Sequence, residues 1–264
     1  ASVRRTRRFW FERYRWGIVG PGRLMVGGRD ARGNDAVVKK HLSTGDLYIH
    51  ADLHGAASCA LKRLDGLEPR EDDDIASEGV CNFKIVQSIN GAPEDLQMLS
   101  EDEKEEAAAL AACWSRAWGA GSAAATAFHV RPSQVSKATE SGEALGRGSF
   151  VVRGNRGWHR DLVLKMAIGF GTVNGIPMPV PGSVSAIGNL CSRWAEITPG
   201  REKKEDVARR ISKATGLDHG EVLAALPSGN PCRHRRSCPL PALETFRRWA
   251  SQFTVVQFDN LTAL

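Results

Sequence analysis

The sequence predicts an α+β fold: a mostly antiparallel sheet, one main helix packed on it, and a small helical appendage near the C-terminus. Three observations carry this. Short aliphatic and aromatic runs recur between Gly, Pro and Asp punctuation through residues 1–173, the pattern of strands joined by turns. Residues 100–118 combine helical periodicity with a helix start signal. After Gly175 the texture changes: Pro177, Pro179 and Pro181 read as a linker, and two helical patterns follow. The expected division is a main domain over 1–173, a linker and small helical module over 174–230, and a basic tail with Pro and Cys over 231–264.

Residues 16–19 and 23–26 read as strands around Gly20-Pro21-Gly22, a hairpin. Gly27-Gly28-Arg29-Asp30 is a strand-to-helix turn, with Asp30 at or near the N-cap of a short helix over 34–42. Strands follow at 46–51 and 58–62. Residues 65–99 look like an acidic inserted loop with a little structure at 83–86. Ser100 can cap the next helix while Glu103 reaches back, and Ala107, Leu110, Ala111, Trp114 and Trp118 share one face. Gly119 and Gly121 stop it. Strands are expected at 125–130 and 149–153, and a strand or short apolar segment at 162–170. Residues 201–215 are helical with Gly216 as C-cap, and Asp218 with Glu221 opens a short helix ending at Leu226. Residues 230–264 are Pro- and Arg-rich, then weakly strand-like.

Hydrophobic residues make up 42% and charged residues 25%, which excludes wholesale disorder. No run approaches the eighteen or so apolar residues of a membrane span, and no apolar stretch follows the Arg-rich start. Neither a membrane nor a secretory signal is therefore expected, and the six scattered cysteines fit reduced thiols in the cytoplasm. The net charge of +6 favours an anionic partner and is unevenly spread. Residues 1–16 hold six arginines and one glutamate; residues 147–165 hold four arginines, one lysine and one aspartate. Phe9, Trp10, Phe11, Tyr14 and Trp16 interleave with the first arginines. Arginine neutralises phosphate and aromatics stack on unpaired bases, so the mixture suits RNA; burial of the rings in a core is the alternative.

Local chemistry is sparse. His50, Asp52 and His54 would share one face of a continuous strand, as a catalytic metal site needs, but Gly55 bends the chain and a fourth ligand is missing. Cys232, His234 and Cys238 make an incomplete zinc knuckle. Neither a phosphate-loop nor a dinucleotide signature, nor a C-x-x-C pair, nor a G-x-S-x-G elbow is present, so no cofactor and no catalysis is expected. The second helix of the 201–226 pair lacks the basic and amide side chains that read bases, which disfavours a DNA-reading helix-turn-helix.

Gly27-Gly28-Arg29-Asp30-Ala31 with Asn34, then the run from Gly45 to Ala56, resembles the RNA-binding R domain of the NFACT family. Ala112–Trp118, Gln134–Lys137, Gly142-Glu143, Gly148–Phe150, Arg153-Gly154 and Gly169–Gly171 resemble its later blocks in order, and Pro199–Pro227 resembles the C-terminal end of archaeal members. The resemblance implies ribosome-associated quality control: binding of tRNA and rRNA on an obstructed large ribosomal subunit, in support of nascent-chain tailing. Family members also carry an N-terminal NFACT domain, helix–hairpin–helix elements and a coiled coil. The expectation is therefore a fragment, a split gene product or a stand-alone R-domain protein, with a separate NFACT N-terminal protein as a possible partner. Arg29, His50, His54, Lys137 and Arg153 are the expected contacts to phosphate or ribose, each with a structural hydrogen bond as its alternative. The rival functions are a metal-dependent hydrolase using His50, Asp52 and His54, and a general nucleic-acid module that also takes DNA.

Overall fold

Strands β1 (Arg15–Val19) and β2 (Arg23–Gly27) form the expected hairpin, and both are buried on both faces. Ile18, Leu24 and Val26 enter one apolar cluster and Val19 and Met25 another, the two-residue alternation of a strand between two cores. The computed structural model describes residues 8–70, 81–86, 99–138 and 145–234. The chain continues through β3 (Leu47–Ala51), β4 (Cys59–Pro69), β5 (Cys81–Val86), β6 (Ala124–Val130), a separate pair β7 (Val135–Ser136) and β8 (Val151–Val152), then β9 (Gly157–Val163), β10 (Met166–Val173), β11 (Ile176–Gly182), β12 (Trp194–Pro199) and β13 (Pro231–His234). The large sheet runs β13-β12-β10-β11-β1-β2-β4-β3-β6-β9, and β5 pairs with both β10 and β4. Among the described residues every pairing is antiparallel except β1 with β11 and β5 with β10.

The bridge made by β5 closes β10, β11, β1, β2, β4 and β5 into a ring. All six strands feed one apolar cluster, for example through Val173, Val180, Ile18, Leu24, Leu67 and Phe83. The segment expected as a loop over 65–99 is corrected at its start, where β4 runs on to Pro69, while the structure expected at 83–86 is present as β5, with Phe83 only 1% exposed. Residues 71–80 and 87–98 lie outside the described residues. The proline-marked linker is corrected too, because it is strand β11, paired with β10 along its length. Spacing of two puts the N–H-less positions of Pro177, Pro179 and Pro181 on one edge. That edge faces β1, which β11 meets only at the Ile18–Gly182 pair, so no ladder bond is lost.

Helix α1 (Ala31–His41) starts three residues earlier than expected, because the Asp30 carboxylate accepts from the Gly33 N–H at 2.6 Å and caps it. Helix α2 (Glu101–Cys113) has the expected capping box between Ser100 and Glu103. It ends at Cys113 instead of Trp118, since the Ser115 hydroxyl caps a new turn, α3 (Arg116–Gly119). Alanines 107, 108, 111 and 112 are buried on all sides, so the small side chains let the sheet wrap the helix. Glu103 pairs with Arg23, and Glu106 accepts from the Gly20 N–H at 2.8 Å and the Ser183 hydroxyl at 2.7 Å, tying α2 to the hairpin turn and to α4 (Val184–Leu190). The stretch 149–153 is strand only at Val151–Val152, and 162–170 splits into the ends of β9 and β10.

Both expected C-terminal helices are present: α5 (Lys204–Thr215), which starts three residues later than expected and is closed by left-handed Gly216, and α6 (His219–Ala225), capped by Asp218. They pack Val207, Ile211, Leu217, Val222 and Leu226 into the cluster that holds Trp118 and α2, and β12 and β13 extend the sheet beside them. The Cys232–Cys238 motif falls on side chains outside the described residues. Among the described residues no helix is long and apolar enough to cross a membrane.

Candidate nucleic-acid interface

The N-terminal aromatics resolve the alternative left open by the sequence. Phe11, Tyr14 and Trp16 are at most 8% exposed and belong to the ring's core cluster, so they are packing residues. The site lies elsewhere, in a cleft of about 630 Å³ where several glycine-rich blocks converge.

Asn34 organises its floor. The buried Asn34 carboxamide accepts from the Ser58 N–H at 2.9 Å and donates to the Ala56 carbonyl at 3.4 Å, while the Gly28 N–H donates to the Ser58 carbonyl at 3.1 Å. A side chain at residue 28 would overlap Asn34, which explains the glycine beside it. These bonds hold the loop between β3 and β4 against the start of α1. His50 at the end of β3, His54 in that loop and Arg29 just before the α1 N-cap line the same cleft.

The third wall is the loop 146–150. The Lys137 ammonium lies 2.7 Å from an Asp35 carboxylate oxygen and donates to the carbonyls of Gly146 at 2.8 Å and Ser149 at 3.1 Å. The same Asp35 oxygen accepts from the Gly148 N–H at 3.0 Å, and Lys137 sits over the Phe150 ring at 4.6 Å. The hydrogen bond from Lys137, foremost, holds the Asp35 carboxyl below the usual carboxylate range. All three ammonium hydrogens have protein acceptors, so Lys137 positions Arg147 and Ser149 on the cleft wall. Arg153 is exposed and stands beside the cleft, its guanidinium donating to the Ala138 carbonyl at 3.2 Å.

Of the five expected contacts, then, Arg29, His50 and His54 are brought together, Lys137 supports the wall, and Arg153 lies outside the lining. The metal alternative fares differently. The strand ends at Ala51, Asp52 and His54 lie in the exposed loop beyond it, and among the described residues no three His, Cys, Asp or Glu side chains gather as metal ligands.

Sequence reasoning did not single out Arg15, Arg147 and Arg156, which line the cleft with Arg29 against two aspartates, Asp30 and Asp52. It also missed an aromatic row across three strands. His50 is the register partner of Phe128, and Phe128 of Trp158. Their ring centroids are 5.8 and 5.3 Å apart. The Arg156 guanidinium stands 4.7 Å over Phe128 and Arg160 stands 5.8 Å over Trp158, which is 41% exposed. Burial pushes the His50 imidazole below its ordinary pKa, so it presents an uncharged ring at neutral pH. The readable signal was the period-two run Arg156, Trp158, Arg160, which puts cation, ring and cation on one strand face.

Residues 8–154 match the family described as NFACT protein RNA binding domain. The chain is 28% identical over 228 residues to the archaeal Rqc2 homolog aRqcH of Methanocaldococcus jannaschii, covering 85% of this chain and 29% of that protein. It is 34% identical over 170 residues to the ribosome quality control complex subunit NEMF of Mus musculus and of Homo sapiens, covering 64% of this chain and 13% of each relative. A solved structure, the C-terminal part of the fibronectin/fibrinogen-binding protein from Streptococcus suis, matches with a TM-score of 0.37 at 16% identity, over 71% of this chain and 52% of that one.

Proposed function

The chain belongs to the NFACT family through its RNA-binding domain, and from this premise we propose that it binds unpaired or structured RNA through the cleft and the aromatic row beside it. The observation that carries the reading is the pairing of four cleft arginines with the His50–Phe128–Trp158 row. Arginines hold phosphates without regard to sequence, while rings take the faces of unstacked bases. The natural ligands are tRNA and rRNA of an obstructed large ribosomal subunit, in ribosome-associated quality control. The names of the archaeal and mammalian relatives support that setting. Support of nascent-chain tailing together with a separate NFACT N-terminal protein belongs to the same proposal, as does a cytoplasmic, non-catalytic role. Among the described residues His50, Asp52 and His54 do not gather as metal ligands, which favours RNA contact over metal-dependent hydrolysis.

The test is fluorescence anisotropy with labelled tRNA, titrated through salt and competed with duplex DNA. We expect micromolar or tighter binding that prefers tRNA and weakens steeply with salt. Trp158→Ala should cost about 1–3 kcal/mol on single-stranded or looped RNA and little on duplex. Equal competition by duplex DNA would instead favour the general nucleic-acid module. No binding at low salt would overturn the reading.

A further inference from the structure

Three cations meet where the C-terminal helices close over the first hairpin. Arg15 opens β1 and is the register partner of Gly27, so its side chain and that of Arg29, two residues past Gly27, emerge together at one end of the cleft. Both reach to the C-terminal segment. The Arg15 guanidinium donates to the Ser228 hydroxyl at 2.7 Å, and that of Arg29 lies 3.4 Å from the carbonyl of Ala224, near the end of α6. Lys204, the first residue of α5, is half-buried, and the segment leading into it is tied to the chain just past Ser228, where the Gly200 N–H donates to the Asn230 carbonyl at 2.9 Å. None of the three takes part in an ion pair with a described carboxylate, whereas Arg23, Lys62, Lys84, Lys104, Lys137, Arg209 and Arg210 all do. Of the nearby acids, Asp30 has its carboxylate turned to the α1 N-terminus, Glu12 accepts from the Phe9 N–H at 2.7 Å, and Glu205 only partly offsets the charge on Lys204, while Glu12 and Glu221 line a smaller pocket with Arg29.

The electrostatics agree. Burial first, then repulsion from Arg15 and Arg29, brings the Lys204 ammonium down to about 8. Burial lowers both arginines, and Arg29 is lowered further by Arg15 and Arg8. Like charges brought together, partly dehydrated and only partly countered leave a deficit that an anion fills. Guanidiniums supply forked donors and the ammonium a point charge, the combination suited to phosphate oxygens.

We infer that Arg15, Arg29 and Lys204 form a phosphate-binding site, completed by the C-terminal helices, that holds one phosphate group of the RNA lying in the cleft. The site rests on the proposed function for its natural ligand, and it gives the C-terminal helices a binding role beyond packing. A backbone diester and a terminal monoester offer the same oxygens.

The experiment follows the Lys204 ammonium by NMR in the full chain after reductive ¹³C-methylation, with inorganic phosphate, an unphosphorylated RNA oligonucleotide and the same oligonucleotide carrying a 5′-phosphate as three separate probes. Binding should raise the Lys204 pKa by about one unit, a tenfold preference of the ligand for the charged form. In parallel, Lys204→Met should make the salt dependence of RNA binding shallower by about 0.7 in logarithmic slope, one phosphate contact on a single strand. A rise with both oligonucleotides assigns a backbone phosphate, and a rise only with the 5′-phosphorylated one assigns a terminal phosphate. A rise with inorganic phosphate but no RNA binding keeps the site and sinks the RNA reading. RNA binding with an unmoved Lys204 and an unchanged slope in Lys204→Met overturns the site and leaves the RNA reading standing. No response to any probe overturns both.

Discussion

Removing the Lys137 ammonium separates a positioning residue from a direct RNA contact. Lys137→Met deletes the pair with Asp35 and the bonds to the Gly146 and Ser149 carbonyls, while its apolar stem is kept. Side-chain exposures of 29% for Lys137 and 19% for Asp35 mean that solvent screens the pair, so it is worth roughly 0.2–1 kcal/mol. The two carbonyls turn to water at a cost of about 1 kcal/mol together. The expected loss is therefore about 1–2 kcal/mol, or about 2–8 °C in Tm for a chain of this size. Because the Asp35 carboxyl is held below its ordinary range, its contribution is present above the unfolded carboxylate pKa of about 4 and lost as pH falls through the folded value. The difference between wild type and Lys137→Met should narrow below that pH. Asp35→Ala supplies the sign test. Electrostatics alone predicts tighter RNA binding when a carboxylate is removed near the cleft. The positioning role predicts weaker binding and a loss of Tm like that of Lys137→Met, because the 146–150 loop comes loose from α1. Thermal melts and tRNA anisotropy on both variants decide it. Tighter binding by Asp35→Ala at unchanged Tm would refute the reasoning.

Three more outcomes follow from the same structure. Gly28→Ala puts a Cβ 2.8 Å from the Asn34 Cα and should cost about 3 kcal/mol or more, whereas Gly55→Ala, in open space at φ +76°, should cost about 1–2; equal losses in urea melts would contradict the packing argument. Cys81 is brought down to about 6 by hydrogen bonds from Cys191 and Ser192 against the opposing effect of burial, while burial pushes Cys59 up to about 12. Native alkylation by iodoacetamide at pH 7, mapped by mass spectrometry, should mark Cys81 well before Cys59 and slow at Cys81 in Cys191→Ala; comparable labelling of Cys59 would defeat it. Burial lowers the imidazoles of His41 (to about 4), His50, His129 and His159. The unfolded chain then binds more protons below about pH 6.5, so stability is full above that pH and falls as the pH drops toward the folded values. Tm should decrease from pH 7.5 to 5.5, and a flat or rising Tm would count against it.

Much of the fold was legible because its signals are local. The hairpin at Gly20–Gly22, the Ser100–Glu103 capping box and Gly216 each depend on a few consecutive residues, and each stands where expected. The misreadings share a cause: they turn on pairing partners far away in sequence. Pro177, Pro179 and Pro181 break a strand only if both of its edges are needed, and nothing local says that β11 leaves one edge almost unpaired. The structure expected at 83–86 is there as β5, but its role in the core was not legible, because that depends on β10 and β4 closing around it. Helix α2 was read as one-faced because its alanines give a weak pattern; the sheet around it supplies the burial.

The site divides the same way. Arg29, His50 and His54 were found through glycine-rich blocks, which mark where the backbone comes close to something, and those blocks do converge on one cleft. What such blocks cannot tell is which nearby polar side chain faces the ligand and which braces the loop. Lys137 and Asn34 have the residue types of contacts, yet their donors and acceptors are spent on the chain itself. The cleft cations without a carboxylate partner among the described residues come from the two places where charge was uneven in the sequence: Arg15 from the N-terminal arginines, and Arg147 and Arg156 from the 147–165 run. The N-terminal rings that accompany Arg15 are buried, while the ring beside Arg156 is exposed. Charge density therefore located the interface, and strand register, which pairs His50 with Phe128 and Phe128 with Trp158, decided which aromatics belong to it.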